Sequence, residues 1–177
     1  MTINEFTDHE IAIQISLTMR IARHEDIKKL EWHGQFAHYR NLFRRSYKEQ
    51  QQGNRLLLVM DCDGFPIARL FIQFLSNNLS IADGHERAYL YSFTVMDLFR
   101  NKGIGTHMLK SAEEILRQRA YQIATISVAK DNPRALNLYK RMNYVTFSED
   151  SGHWKYRDHL GKVRSVNEPC WLLYKYL

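Results

Sequence analysis

Cysteine is scarce in this chain. Its 177 residues include two, Cys62 and Cys170, far apart and outside any C-x-x-C pattern. That excludes a disulfide framework and a zinc knuckle, and it makes a reducing cytoplasm the expected compartment. Long hydrophobic runs are missing too, since no apolar stretch approaches the roughly 20 residues needed to cross a bilayer. The first residues carry Glu5, Asp8 and Glu10 with no apolar block, so no secretory signal is read there. Proline and glycine number only three and eight, and no Pro/Gly/Ser linker, low-complexity tract or internal repeat interrupts the chain. One domain over residues 1–177 is therefore expected. The eight histidines show no ligand spacing of the H-x-x-x-H kind, so no metal is expected. The phosphate-loop pattern G-x-x-x-x-G-K-[ST] is absent as well.

What is present is an ordinary folded composition, 45% apolar and 25% charged. At 177 residues the chain is long enough to bury a sizeable core. The net charge is +6, which raises a nucleic-acid or acidic partner. The positive residues are scattered, however, which disfavours nucleic acid, and an anionic small molecule accounts for part of the excess.

Residues 11–21 alternate imperfectly and predict a first strand. A short helix opens at Arg23-His24-Glu25-Asp26 and runs toward Leu30. Residues 35–51 predict an amphipathic helix with Phe36, Tyr39, Leu42, Phe43 and Tyr47 on one side. That stripe reads as core first and as a cleft wall second. Residues 55–62 and 65–74 read as strands joined by Asp63-Gly64, a hairpin signal. A polar loop follows over 77–87. The spacing of Asp61 and Asp63 resembles a calcium loop only faintly, because Phe65 and Ile72 stand where oxygen donors are needed.

The chain is organised around residues 89–110. Tyr89–Val95 is aromatic and β-branched, hence a strand. Arg100-Asn101-Lys102-Gly103-Ile104-Gly105 is a basic turn, and apolar residues from Ile104 onward fall at helical spacing. A helix start behind a glycine turn offers unpaired N–H groups and the positive dipole end to an anion. The bland alternative is a surface strand-to-helix turn. Residues 122–128 then predict a strand. Asn132 and Pro133 suit the N-cap and first position of a helix that contains Tyr139.

Arg-x-x-Gly-x-Gly over Arg100–Gly105, followed by Asn132 and a tyrosine seven residues later, resembles the GNAT superfamily of acetyl-coenzyme A-dependent N-acetyltransferases. Asn143-Tyr144 stands where that family usually has Gly-aromatic; asparagine tolerates the left-handed conformation. The resemblance implies an α/β fold with a central twisted mixed sheet, splayed parallel strands and flanking helices. It implies acetyl transfer from acetyl-CoA to a primary amine of a small molecule or peptide, by direct attack in a ternary complex. A non-catalytic acyl-CoA-binding module on the same fold is the alternative. The implied cofactor-binding residues are Phe93, Thr94, Val95, Arg100, Asn101, Lys102, Gly103, Ile104, Gly105, Thr106 and Asn132. Tyr139 is the implied general acid, with a plain buried tyrosine as the alternative. The glutamate base of histone-acetylating members maps to Tyr89 and is missing. Glu86, His85, His33, His38 and Glu168 remain as weakly placed bases. Trp154, Tyr156 and Trp171 read as core or as an acceptor pocket. No membrane partner is expected, and the protein is expected to be a monomer or a homodimer.

Overall fold

The computed structural model describes residues 14–177. Strand β1 (Thr18–Ile21) lies antiparallel to β2 (Arg55–Cys62). The expected strand over 11–21 is shorter because its partner ends: Thr18 faces Asp61, and β2 turns away one residue later. Residues 11–13 lie outside the described residues. Between β1 and β2 come helix α1 (Asp26–Lys29), a 3-10 turn over Ala37–Tyr39 and helix α2 (Arg40–Gln51).

Strand β2 returns into β3 (Phe65–Gln73) through Asp63 and Gly64. Their φ values of 49° and 78° are those of the tight turn that matches strand twist. Both strands are buried on both faces, which explains their nearly unbroken apolar sequence. One face packs Leu58, Met60, Leu70 and Ile72 with the residues of a long helix described below. The other packs Leu57, Val59 and Phe71 under Ala22, Ile27, Leu30 and Phe43. Each fully buried Leu or Ile contributes about 1.5–3 kcal/mol.

Strand β4 (Arg87–Val95) pairs antiparallel with β3. The register slips between Arg69 and Phe71, so Ser92 and Phe93 oppose a single residue, and Ser92 sits at φ 52°. This bulge bends the strand toward its far end. Helix α3 (Ile104–Gln118) then crosses to β5 (Ile123–Ala129), burying Ile104, Met108, Leu109, Ala112 and Leu116. β4 and β5 are parallel, but they pair only from Arg87–Leu90 to Ile123–Ile126. Beyond Leu90 the two strands part. Helix α4 (Pro133–Arg141) leads into β6 (Val145–Asp150), and β9 (Cys170–Tyr176) fits between β5 and β6. The seven-stranded mixed sheet has the order β1-β2-β3-β4-β5-β9-β6. Strands β7 (His153–Arg157) and β8 (Val163–Asn167) form a separate hairpin. Its tip is held by the buried Asp158 carboxylate, which accepts from the N–H groups of Leu160 and Lys162 and from Arg164 Nε.

No described helix is long and apolar enough to cross a membrane.

Candidate active site

The start of α3 is built to meet something outside the chain. Gly103 stands at the N-cap with φ 80°, and Asn101 two residues earlier has φ 61°. The first intrahelical bond is His107 N–H to Gly103 O at 3.0 Å. The N–H groups of Gly103, Ile104, Gly105 and Thr106 therefore have no helical acceptor, and no side chain caps them. The Ile104 side chain is turned into the core, so only its backbone can serve a ligand. A Cβ on Gly105 would lie 3.3 Å from Phe93 Cζ and 3.6 Å from Leu138 Cδ2. Glycine lets the β4 aromatic close against the helix start.

A cavity of about 980 Å³ opens in front of these N–H groups. It is walled by Phe93–Val95, by the loop, by the first turn of α3 and by one side of α4. Three guanidinium groups line it: Arg100, Arg134 and Arg141. Arg100 Nε donates to Val95 O at 3.0 Å, and its Nη2 pairs with Asp97 at 2.7 Å. Arg134 Nη2 donates to Asn101 Oδ1 at 2.6 Å, which ties α4 to the glycine loop. Lys102 is exposed and is not among the lining residues. Arg134 and Arg141 were not picked out from sequence. Their separation of seven residues, two turns of one helix face, is the signal that could have found them.

Helix α4 begins as its sequence dictates. Asn132 Oδ1 accepts from Ala135 N–H at 3.1 Å, and Pro133 holds the first position. Tyr139 on this helix is 5% exposed. Burial pushes its phenol well above the ordinary tyrosine value, with nearby Tyr89 adding to the effect. Asn143, just past the helix, takes the left-handed φ of 67°.

A second cavity, about 690 Å³, lies on the other side of the β4 bulge. Phe36, Tyr39, Phe43, Tyr89, Tyr91 and Trp154 wall it. Tyr39 stands 6.4 Å from Trp154 and 5.1 Å from Tyr156, centre to centre, so the 3-10 turn ahead of α2 and the β7–β8 hairpin close its rim together. Phe43 is both cleft wall and core, whereas Tyr47 lines no part of the cleft. Trp171 lies outside it, with Lys130 Nζ 4.3 Å from its ring centroid. Tyr89, at the missing glutamate position, hydrogen-bonds Ser127 Oγ at 2.5 Å. Burial pushes its phenol up to about 12.

Five residues line both cavities: Phe93, Thr94, Asn132, Ala135 and Tyr139. The two spaces meet where β4 and β5 part. Among the bases suggested by sequence, Glu168 lines the second cavity, and Asp150 joins it there. His38 sits beside Tyr39 and Tyr156, where burial lowers its pKa and the charges of His159 and Arg164 lower it further. His33 stacks on Phe65, and His85 and Glu86 cap onto Asp83 ahead of β4, so none of these three faces the cleft. Arg69, a single charge inside the apolar run of β3, also lines the cleft. Its isolation in that run is a signal that sequence reading passed over.

Comparison with known proteins agrees with this arrangement. A model described as the acetyltransferase (GNAT) family matches residues 21–144. An uncharacterized N-acetyltransferase of Methanocaldococcus jannaschii is 27% identical over 118 residues, covering 62% of this chain and 52% of that protein. The chain thus spans about half the length of that curated relative. The fold is similar to Ard1 from Thermoplasma volcanium, with TM-score 0.67, 16% identity and coverage of 91% of this chain and 97% of that one. It is similar to Arabidopsis thaliana NAA60 in complex with acetyl-CoA, with TM-score 0.67, 15% identity and coverage of 92% and 99%. It is also similar to the ribosomal-protein-S18-alanine N-acetyltransferase from Escherichia coli, with TM-score 0.67, 16% identity and coverage of 91% and 94%. With the family match spanning well over half of its residues, the chain belongs to the GNAT family of acetyltransferases.

Proposed function

We propose that the protein transfers an acetyl group from acetyl-CoA to the primary amine of a small molecule or peptide, by direct attack in a ternary complex. The observation that carries this reading is the meeting of two cavities at Phe93, Thr94, Asn132, Ala135 and Tyr139. One cavity suits a polyanion and the other an organic acceptor. The first fits acetyl-CoA by three features: four uncapped N–H groups, three arginines and a glycine where a side chain would press on Phe93.

In this reading the pyrophosphate meets the first turn of α3, from Gly103 to Thr106, with Arg100 and Asn101 beside it. The pantetheine arm runs along the free edges of β4 and β5 as an added strand. Asn132 borders its path. The thioester then reaches the bulged segment Phe93-Thr94-Val95, whose backbone N–H groups are the donors available to its carbonyl oxygen.

The amine nitrogen attacks the carbonyl carbon, and the C–S bond breaks as the amide forms. The departing thiolate takes a proton. Tyr139 suits that step by position, since it lines both cavities and, like any phenol, carries its proton at neutral pH. The ammonium proton must leave before or during attack, and Glu168 and Asp150 are the carboxylates within the acceptor cleft. The reading is tested by thiol release from acetyl-CoA over a panel of amines. Release that depends on the amine supports transfer, and acetyl-CoA binding without release for any amine rejects it.

A further inference from the structure

Arg69 sits in the middle of β3 and is 2% exposed. No carboxylate among the described residues pairs with it. Its Nε donates to Ser92 Oγ on the β4 bulge at 3.2 Å. The guanidinium carbon stands 4.2, 4.9 and 5.2 Å from the ring centroids of Phe36, Trp32 and Phe43. Its Nη1 is buried without a hydrogen-bond partner. Burial pushes its pKa down to about 10, still far above neutrality, so the group remains a cation. A desolvated cation held by one hydroxyl and by aromatic faces recovers part of its lost hydration and leaves strong donor capacity unused.

The position of this charge matters. The β3–β4 register sets Arg69 directly opposite Thr94, one of the residues common to both cavities. Cross-strand partners of this kind hold their Cβ atoms roughly 5 Å apart on one face of the sheet. Arg69 and Thr94 line the same cleft, so an anion held by Arg69 would occupy the space that opens onto the junction of the two cavities. Of the other arginines in the cleft, Arg55 is already neutralised by Glu49 and contacts the Tyr91 hydroxyl. Arg45 is an exposed rim residue near Glu49. Arg69 alone of these is both buried and uncompensated. Asp150 and Glu168 line the same cleft and can face an ammonium group.

We infer that the acceptor is a small primary amine that carries its own carboxylate, a free amino acid, with the carboxylate held by Arg69. This rests on the transferase reading above. The aromatic walls then receive the side chain, and the amine is left at the junction of the two cavities.

Acetylation rates for a set of α-amino acids, each beside its own α-amide, test the assignment. The pair shares side chain and amine and differs in the carboxylate charge. The wild-type protein is expected to favour the acid at least tenfold in kcat/KM. Arg69→Gln should bring that ratio close to one, chiefly through KM of the acid, and Arg69→Lys should recover part of it. The ratio is internal to one preparation, so a fall in folded protein cancels. Calorimetric titration with N-acetyl amino acids and their amides reads the same subsite without turnover. Carboxylate-dependent binding that Arg69→Gln removes, in a protein that acetylates no amine, upholds the anion site and rejects the transferase reading. A wild-type ratio near one in both measurements overturns the inference. So does an Arg69→Gln variant that loses acid and amide equally, because the guanidinium is then structural. Peptide amides beginning with Asp or Glu make the last arm, and faster transfer to these than to any free amino acid overturns the free-amino-acid assignment.

Discussion

Gly105 leaves just enough room for Phe93: the Cβ it lacks would lie 3.3 Å from the ring's Cζ. Gly103, two residues earlier, has open space around that position but a φ of 80°. The two glycines therefore fail differently. Gly103→Asp should fold, since aspartate tolerates the left-handed region. It should weaken acetyl-CoA binding at least tenfold, because a carboxylate would stand among N–H groups that await a phosphate. Gly105→Ala should push on Phe93 and lower kcat more than affinity. Calorimetric titration with thermal melts on the same samples checks both, and unchanged affinity in folded Gly103→Asp would remove the phosphate site from the loop.

Tyr139→Phe keeps the buried ring and loses one proton. Turnover is expected to fall by roughly 100-fold, the usual size of a general-acid contribution, with acetyl-CoA affinity within a few-fold. Full turnover in the variant would leave water or substrate as the proton source. Joint loss of rate and affinity would point to a hydroxyl contact with the cosubstrate.

Arg134 reaches Asn101 across the mouth of the first cavity. Arg134→Ala should weaken acetyl-CoA binding roughly tenfold, in line with about 1.5–3 kcal/mol for a charge-assisted hydrogen bond. It should also flatten the salt dependence of that binding and leave the acceptor KM unchanged. Titrations at two ionic strengths measure the first two effects, and steady-state kinetics measures the third.

Acid sensitivity should originate at Asp26. This buried carboxylate accepts from both Nη atoms of Arg20, at 2.6 and 2.9 Å, and from Arg23 N–H at 2.7 Å. Burial pushes its carboxyl up, but these donors outweigh that and hold it below the usual aspartate range. A depressed folded-state pKa stabilises the protein above the unfolded value, about 3.9, and the contribution fades as pH falls through the folded one. Denaturation midpoints should thus be level from pH 7 to 5 and drop below about pH 4. Asp26→Ala should cost roughly 3 kcal/mol at neutral pH, because the Arg20 charge loses its main partner, and it should blunt the acid limb.

The elements were legible because local signals and tertiary context agree. Asp63-Gly64 requires a tight turn, Asn132-Pro133 requires a helix start, and α3 buries the apolar face that its spacing predicts. The glycine loop was legible for the same reason. What sequence left dark depends on register. The bulge at Ser92 appears only when β4 is set against β3, and it is what brings Arg69 beside Thr94. Asp150 and Glu168 flank a hairpin inserted between β6 and β9, so Glu168 stood among several candidate bases with nothing in its neighbours to single it out, and Asp150 was not picked out at all. Ile104 shows the converse, a motif position whose side chain serves the core.

Among the described residues, four register pairs, Arg87–Leu90 with Ile123–Ile126, are the strand pairing that joins the first four strands of the sheet to the last three. Mechanically the sheet is a book bound at one end of its spine. From Leu90 to Val95 the open page runs about 16 Å at the usual rise per residue. A rotation of about 5° at the binding would move the far end by roughly 1.4 Å over that span, and a misplacement near 1 Å can cost about 100-fold in rate. The packing of Leu90 and Ile126 at the crease, both buried, therefore acts on catalysis as a lever acts on its tip. Core substitutions there reach the chemistry through the angle between the two halves of the sheet as well as through the cleft that both residues border.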